Sequence, residues 1–194
     1  MHRIFLICVA GLLLSASALP FTGSLYDPLG LAIEALEAEG FPPPAGYSIT
    51  EAKPGSLGDI PATTNSDEKT IKVDVATTIE VMENYGNATP DAVIATLMVY
   101  LRHEYHHTED YGTPTVGGGG GYARDFCGHA DILDDDFVFE CSLICAEADP
   151  EVKAALCLHY AGLVEQYNDG VVYWRNKECP GGPYYVVYGC ECCD

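Results

Sequence analysis

Eight cysteines fall after residue 126 and none lies between residues 9 and 126. Cys127, Cys141, Cys145, Cys157, Cys179, Cys190, Cys192 and Cys193 form an even set, which in an exported chain reads as up to four disulfides among about 105 possible pairings. The C-terminal half is therefore expected to be stapled, and the N-terminal half to rely on packing. A thiolate metal site at Cys190-Glu191-Cys192-Cys193 is the competing reading, disfavoured in an oxidising compartment.

The ninth cysteine, Cys8, belongs to a segment that reads as a leader. Met1-His2-Arg3 is a short basic start, Ile4 to Leu14 an apolar run too short to span a bilayer, and Ser15 to Ala18 ends in an A-x-A pattern. Residues 1–18 are thus expected to be a signal peptide and 19–194 a single domain, secreted or periplasmic after cleavage. The whole chain, at 194 residues, is long enough for one compact core.

Charge narrows the partners. The formal net charge is −20, and −21 once the leader with Arg3 is gone. Such a surface repels phosphates and anionic lipid, so neither nucleic acid nor, after leader cleavage, a membrane is an expected partner.

Hydropathy patterning predicts an α+β chain. Leu29, Ile33 and Leu36 define a helix over 29–39 stopped by Gly40, followed by a proline-led loop or extended arm to about Glu68. Thr70 to Val75 alternates as a strand with one wet face, and a short helix ends at Gly86. Thr89-Pro90-Asp91 is a strong helix start, with a hydroxyl at the cap, proline at the first position and an acid in the first turn. From Ala92 to Leu101 that helix is apolar nearly all round, hence buried. The run Gly117 to Gly121 reads as a mobile connection. Residues 129–148 form a long helix, and Asp149-Pro150 starts another that ends near Asn168-Asp169-Gly170. Val171 to Trp174 and Tyr184 to Tyr188 are expected to form a disulfide-pinned hairpin.

In the last turns of the buried helix, His103-Glu104-Tyr105-His106-His107 spells HExxH. A helix turns once in about 3.6 residues, so His103 and His107 share a face and can ligate one ion. Glu104, about 100° round the helix, is placed to act as general base on a water while leaving the metal free. His106 points elsewhere and has no role in this pattern.

These residues and their apolar helix resemble the active-site helix of the zincin metallopeptidases, over a segment from the Ile71 strand to about Glu140. The resemblance implies a small zincin-like fold with a Zn2+ cofactor, His103 and His107 as ligands, Glu104 as base and a peptide or protein as substrate. The metzincin extension is missing, because Asp110 and Thr113 stand where glycine and histidine belong. The gluzincin branch takes a glutamate from a later helix. On the 129–148 wheel a polar stripe of His129, Asp136, Glu140 and Glu147 runs between apolar flanks, and such residues usually have buried partners. Glu140 is the first choice for third ligand. His129, 22 positions after His107, is the alternative, with Asp110 and Asp131 weaker. Tyr111 would suit oxyanion stabilisation, and Asp135 or Asp136 could orient a ligand histidine. The Ile71 to Val75 strand is the candidate edge for pairing with substrate. The rival class is a disulfide-stabilised acidic binding domain or an inactive zincin relative; oligomeric state is not legible.

Overall fold

The computed structural model describes residues 26–58, 60–86, 88–108, 126–179, 183, 185, 187 and 189–193. The leader, Asp110, Tyr111, Thr113, the Gly117 to Gly121 run and most of Tyr184 to Tyr188 lie outside them.

The chain is α+β. Helix α1 (Pro28–Ala38) is capped by Asp27, whose carboxylate accepts from the Gly30 N–H at 2.9 Å, and it ends where Gly40 takes φ 95°. It buries Leu29, Ala32 and Leu36 and packs along the later HExxH helix. A three-stranded sheet follows, built from β1 (Ser48–Glu51), β2 (Ala62–Asn65) and β3 (Thr70–Val73) in the order β1-β3-β2. The first pair is parallel and the second antiparallel. Ile71 and Val73 are fully buried while Lys72 is exposed, the alternation expected of one wet face.

The register corrects one expectation. β3 pairs on both sides, so the Ile71 strand is central and, among the described residues, β1 and β2 are the edge strands. Both flanking strands are four residues long and carry no apolar alternation, so the stretch from Pro42 to Glu68 reads as loop although it supplies them.

Asp74 ends the sheet and starts α2 (Val75–Asn84), its carboxylate accepting from Thr77 and Gly55 N–H groups. Those bonds hold its pKa below the ordinary aspartate value against the opposing effect of burial. Helix α3 (Pro90–His106) begins at Thr89 as its sequence dictates and buries ten residues, including Val93, Leu97, Leu101 and Tyr105. It is the central element, packed against α1, α2, β2, α4 (Phe126–Ala146) and α5 (Pro150–Gln166).

The expected hairpin is also corrected. After α5 the chain loosens into a π turn (Tyr167–Val171) and continues as α6 (Val172–Glu178), so Val171 to Trp174 is helical rather than extended. Tertiary ties override the β propensity of these residues. Arg175 pairs with Asp131 and, at 2.5 Å, with Asp134, which also accepts from the Tyr167 hydroxyl at 2.7 Å. Asn168, read as a turn former, instead exchanges two 2.8 Å bonds with the Val187 backbone and so pins the tail.

Four disulfides close this half: Cys127–Cys179, Cys141–Cys190, Cys145–Cys192 and Cys157–Cys193. They bind the C-terminal segment to α4 and α5, and they are the kind of cross-link an extracellular compartment sustains. Among the described residues no helix is long and apolar enough to cross a membrane. Removing the 52-residue link by Cys127→Ser with Cys179→Ser is expected to cost about 2–4 kcal/mol of stability in urea unfolding. An unchanged midpoint would contradict the anchoring role assigned to it.

Candidate metal centre

Helix α3 ends on the motif itself. The His107 N–H bonds back to the Glu104 carbonyl at 3.1 Å and the Thr108 N–H to the Tyr105 carbonyl at 2.9 Å, tightening the last turn. Thr108 is fully buried and its hydroxyl adds a 2.8 Å bond to the same Tyr105 carbonyl. His107 is thus the C-cap, held rather than frayed.

Helix α4 runs antiparallel to α3, as the pairs His107 with His129 and His103 with Asp136 require. Three members of the polar stripe read on the wheel, His129, Asp136 and Glu140, meet partners inside the fold and divide between two tasks, whereas Glu147 accepts from the exposed Asp149 N–H at the end of the helix. His129 enters the motif: its ring stacks on His107 with centroids 5.2 Å apart and meets His103 edge-on at 4.8 Å. One donor atom from each of His103, His107 and His129 falls within 4.8 Å of the others. Glu140, the first choice for third ligand, is not brought there. It is 1 % exposed and its Oε1 lies 2.6 Å from His159 Nδ1, deeper between α4 and α5, where His159 Nε2 also meets the Tyr100 hydroxyl at 2.9 Å. Asp131 is committed to Arg175. The alternative His129 therefore completes the cluster.

The three imidazoles are a donor set of the kind zinc takes, and one pair already stands near the required spacing. Nitrogens each about 2.0–2.1 Å from a tetrahedral zinc lie about 3.3–3.4 Å apart, and His103 Nε2 and His107 Nε2 are separated by 3.1 Å. Asp136 supports His103 from behind, its Oδ2 accepting from Nδ1 at 2.6 Å while Oδ1 accepts from Arg102 Nη1 at 2.9 Å. A carboxylate on the far nitrogen fixes the tautomer and leaves Nε2 for a metal. His107 Nδ1, by contrast, is buried with no hydrogen-bond partner among the described residues.

The electrostatics follow from this packing. Burial opposes charge on His103, but the hydrogen bond and charge of Asp136 outweigh it and its pKa rises above the ordinary histidine value. With His103 protonated, both of its N–H groups have acceptors, Asp136 Oδ2 and His107 Nε2. Burial and the charge of His103 push His107 down to about 3 and His129 down to about 4. Both rings are neutral near pH 7 and keep their lone pairs. Glu104 is 7 % exposed, and burial raises its pKa against the pull of His103 and of hydrogen bonding to Thr64. Thr64 also donates its hydroxyl to the Glu104 backbone carbonyl at 3.0 Å, tying strand β2 to the motif.

That strand is an edge of the sheet among the described residues. The Asp74 N–H bonds to the Pro61 carbonyl, so in the antiparallel register Thr63 and Asn65 are the bonded partners and the backbone groups of Ala62 and Thr64 point away from β3. Comparison of the chain with protein-family models, with curated proteins and with solved structures finds no match.

The lowered histidines have a measurable sign. Without metal, the unfolded chain takes up protons below about pH 6.5 that folded His107 and His129 refuse, so their contribution to stability falls as pH drops toward about 4 and 3. His103 acts oppositely, its contribution being full below pH 6.5 and lost as pH rises through its raised value. Urea midpoints in chelator between pH 6.5 and 4 should fall more steeply for the wild type than for a His107→Gln, His129→Gln variant. Equal slopes would contradict the depressed values.

Proposed function

We propose that the chain is a secreted zinc-dependent metallopeptidase of the zincin kind, with His103, His107 and His129 as the metal ligands and Glu104 as the general base. The convergence of three imidazoles from two helices, next to the buried motif glutamate, carries this reading. Zinc held by these rings would polarise a peptide carbonyl and lower the pKa of a water toward about 7.

The protein's own groups would do the rest. Glu104 takes the proton of the attacking water and returns it to the departing amine, and its raised pKa makes it a stronger base than a solvated carboxylate. Asp136 holds His103 in the tautomer that presents Nε2. An extended substrate would lie along the outer edge of β2, the strand tied to Glu104 through Thr64, rather than along β3 as the sequence suggests. Export is supported by the four disulfides. A histidine in the third position sets the site apart from the gluzincin pattern.

Elemental analysis and hydrolysis of a quenched fluorescent peptide library test the proposal. Wild type and Glu104→Gln should each carry one zinc per chain, with hydrolysis about 10²–10⁴-fold slower in the variant. A folded wild type that takes up no zinc and cleaves nothing would sink the proposal and leave an acidic binding domain. The ligand assignment has its own test by chelator competition: His129→Ala should lose tight zinc binding and Glu140→Gln should keep it. The reverse pattern would restore Glu140.

A further inference from the structure

Beside the three histidines lies a group that the ligand set does not require, the guanidinium of Arg102. It is 8 % exposed, immediately precedes His103 in sequence, and rests against a pair of phenyl rings, with its centre 4.9 Å from Phe41 and 5.0 Å from Phe139. Those rings meet edge to face at 5.5 Å. Phe41 comes from the loop after α1 and Phe139 from α4, three residues beyond Asp136, so three separate elements enclose one cation.

We infer that Arg102 is a positioning residue for the zinc centre, acting through Asp136 to fix the direction in which His103 presents its Nε2. The inference rests on the reading of His103, His107 and His129 as zinc ligands. A carboxylate that touches only an imidazole can turn about its own bond to the chain, carrying the ring with it. Here Oδ1 is held by Arg102 Nη1 at 2.9 Å while Oδ2 receives His103 Nδ1 at 2.6 Å, so both oxygens are fixed and the carboxylate plane is set. A planar guanidinium packed against two aromatic rings that also brace each other gives that contact a firm base, which a flexible ammonium would not. The order along the chain is thus Phe41 and Phe139 on Arg102, Arg102 on Asp136, Asp136 on His103.

A merely structural arginine would make a different pattern, since it would change folding without acting on the metal through Asp136. A double-mutant cycle on Zn2+ affinity, read by chelator competition, separates the two, with the visible spectrum of the Co2+ form reporting ligand geometry. Asp136→Asn is expected to weaken zinc binding about 10–100-fold. Arg102→Met should weaken it about tenfold and alter the Co2+ spectrum, and in the Asp136→Asn background it should add nothing. If Arg102→Met does not fold, Arg102→Gln, which keeps a donor but not the charge, is read in the same cycle with the same expectation. Wild-type affinity in the folded single variant, or an equal loss in both Asp136 backgrounds, overturns the inference while leaving the zinc reading intact. Failure of the wild type itself to bind Zn2+ overturns both.

Discussion

Asp136 is the constraint on which the arrangement depends. Its two oxygens face two N–H donors, the Arg102 guanidinium and the His103 imidazole, contributed by consecutive residues of α3, and all three groups are largely withdrawn from water. A buried carboxylate with one oxygen left bare would cost several kcal/mol, whereas one bonded on both sides can be kept. The pairing also sets the register of α4 against α3. With Asp136 opposite His103, His129 two turns earlier on α4 comes to the end of α3, where its ring meets those of His103 and His107.

The same seam continues inward with another outcome. Glu140, one turn beyond Asp136, meets His159 from α5, and His159 meets Tyr100 on α3. Helices α3, α4 and α5 are therefore joined by two polar layers, an outer one rich in imidazole and an inner one running from Glu140 through His159 to Tyr100. The outer layer lies near the C-terminal end of α3, where the helix stops at His107. The disulfides stabilise this from a distance, three of them holding residues 190–193 against α4 and α5 so that α4 is pinned on the side away from α3.

Much of this was legible in local chemistry. The capped start at Thr89, the apolar run to Leu101, the stop at Gly40 and the alternation at Ile71 each follow from a rule acting within a few residues. So does the placement of His103 and His107 on one face. What could not be read depends on distance in sequence. Strands β1 and β2 are too short and polar to announce themselves, so the central place of β3 was hidden. The π turn at Tyr167 and the helix after it are held by Asp131 and Asp134, more than thirty residues away. The wheel of α4 picks out His129, Asp136 and Glu140 but also Glu147, which stays at the exposed helix end, and it gives no means of deciding which member meets α3 and which meets α5. Glu140 and His129 are equally good donors on paper, and only the antiparallel register separates them. Arg102 carries a signal of its own in the sequence: a lone cation beside the motif in an otherwise apolar helix needs a buried partner.

The assignment of a three-histidine zinc centre is tested most directly by X-ray absorption at the zinc edge of the loaded protein. The account predicts three imidazole nitrogens at about 2.0–2.1 Å, with a further light donor and no sulfur. Sulfur scattering at about 2.3 Å, or fewer than three imidazoles, would place the metal elsewhere and contradict it.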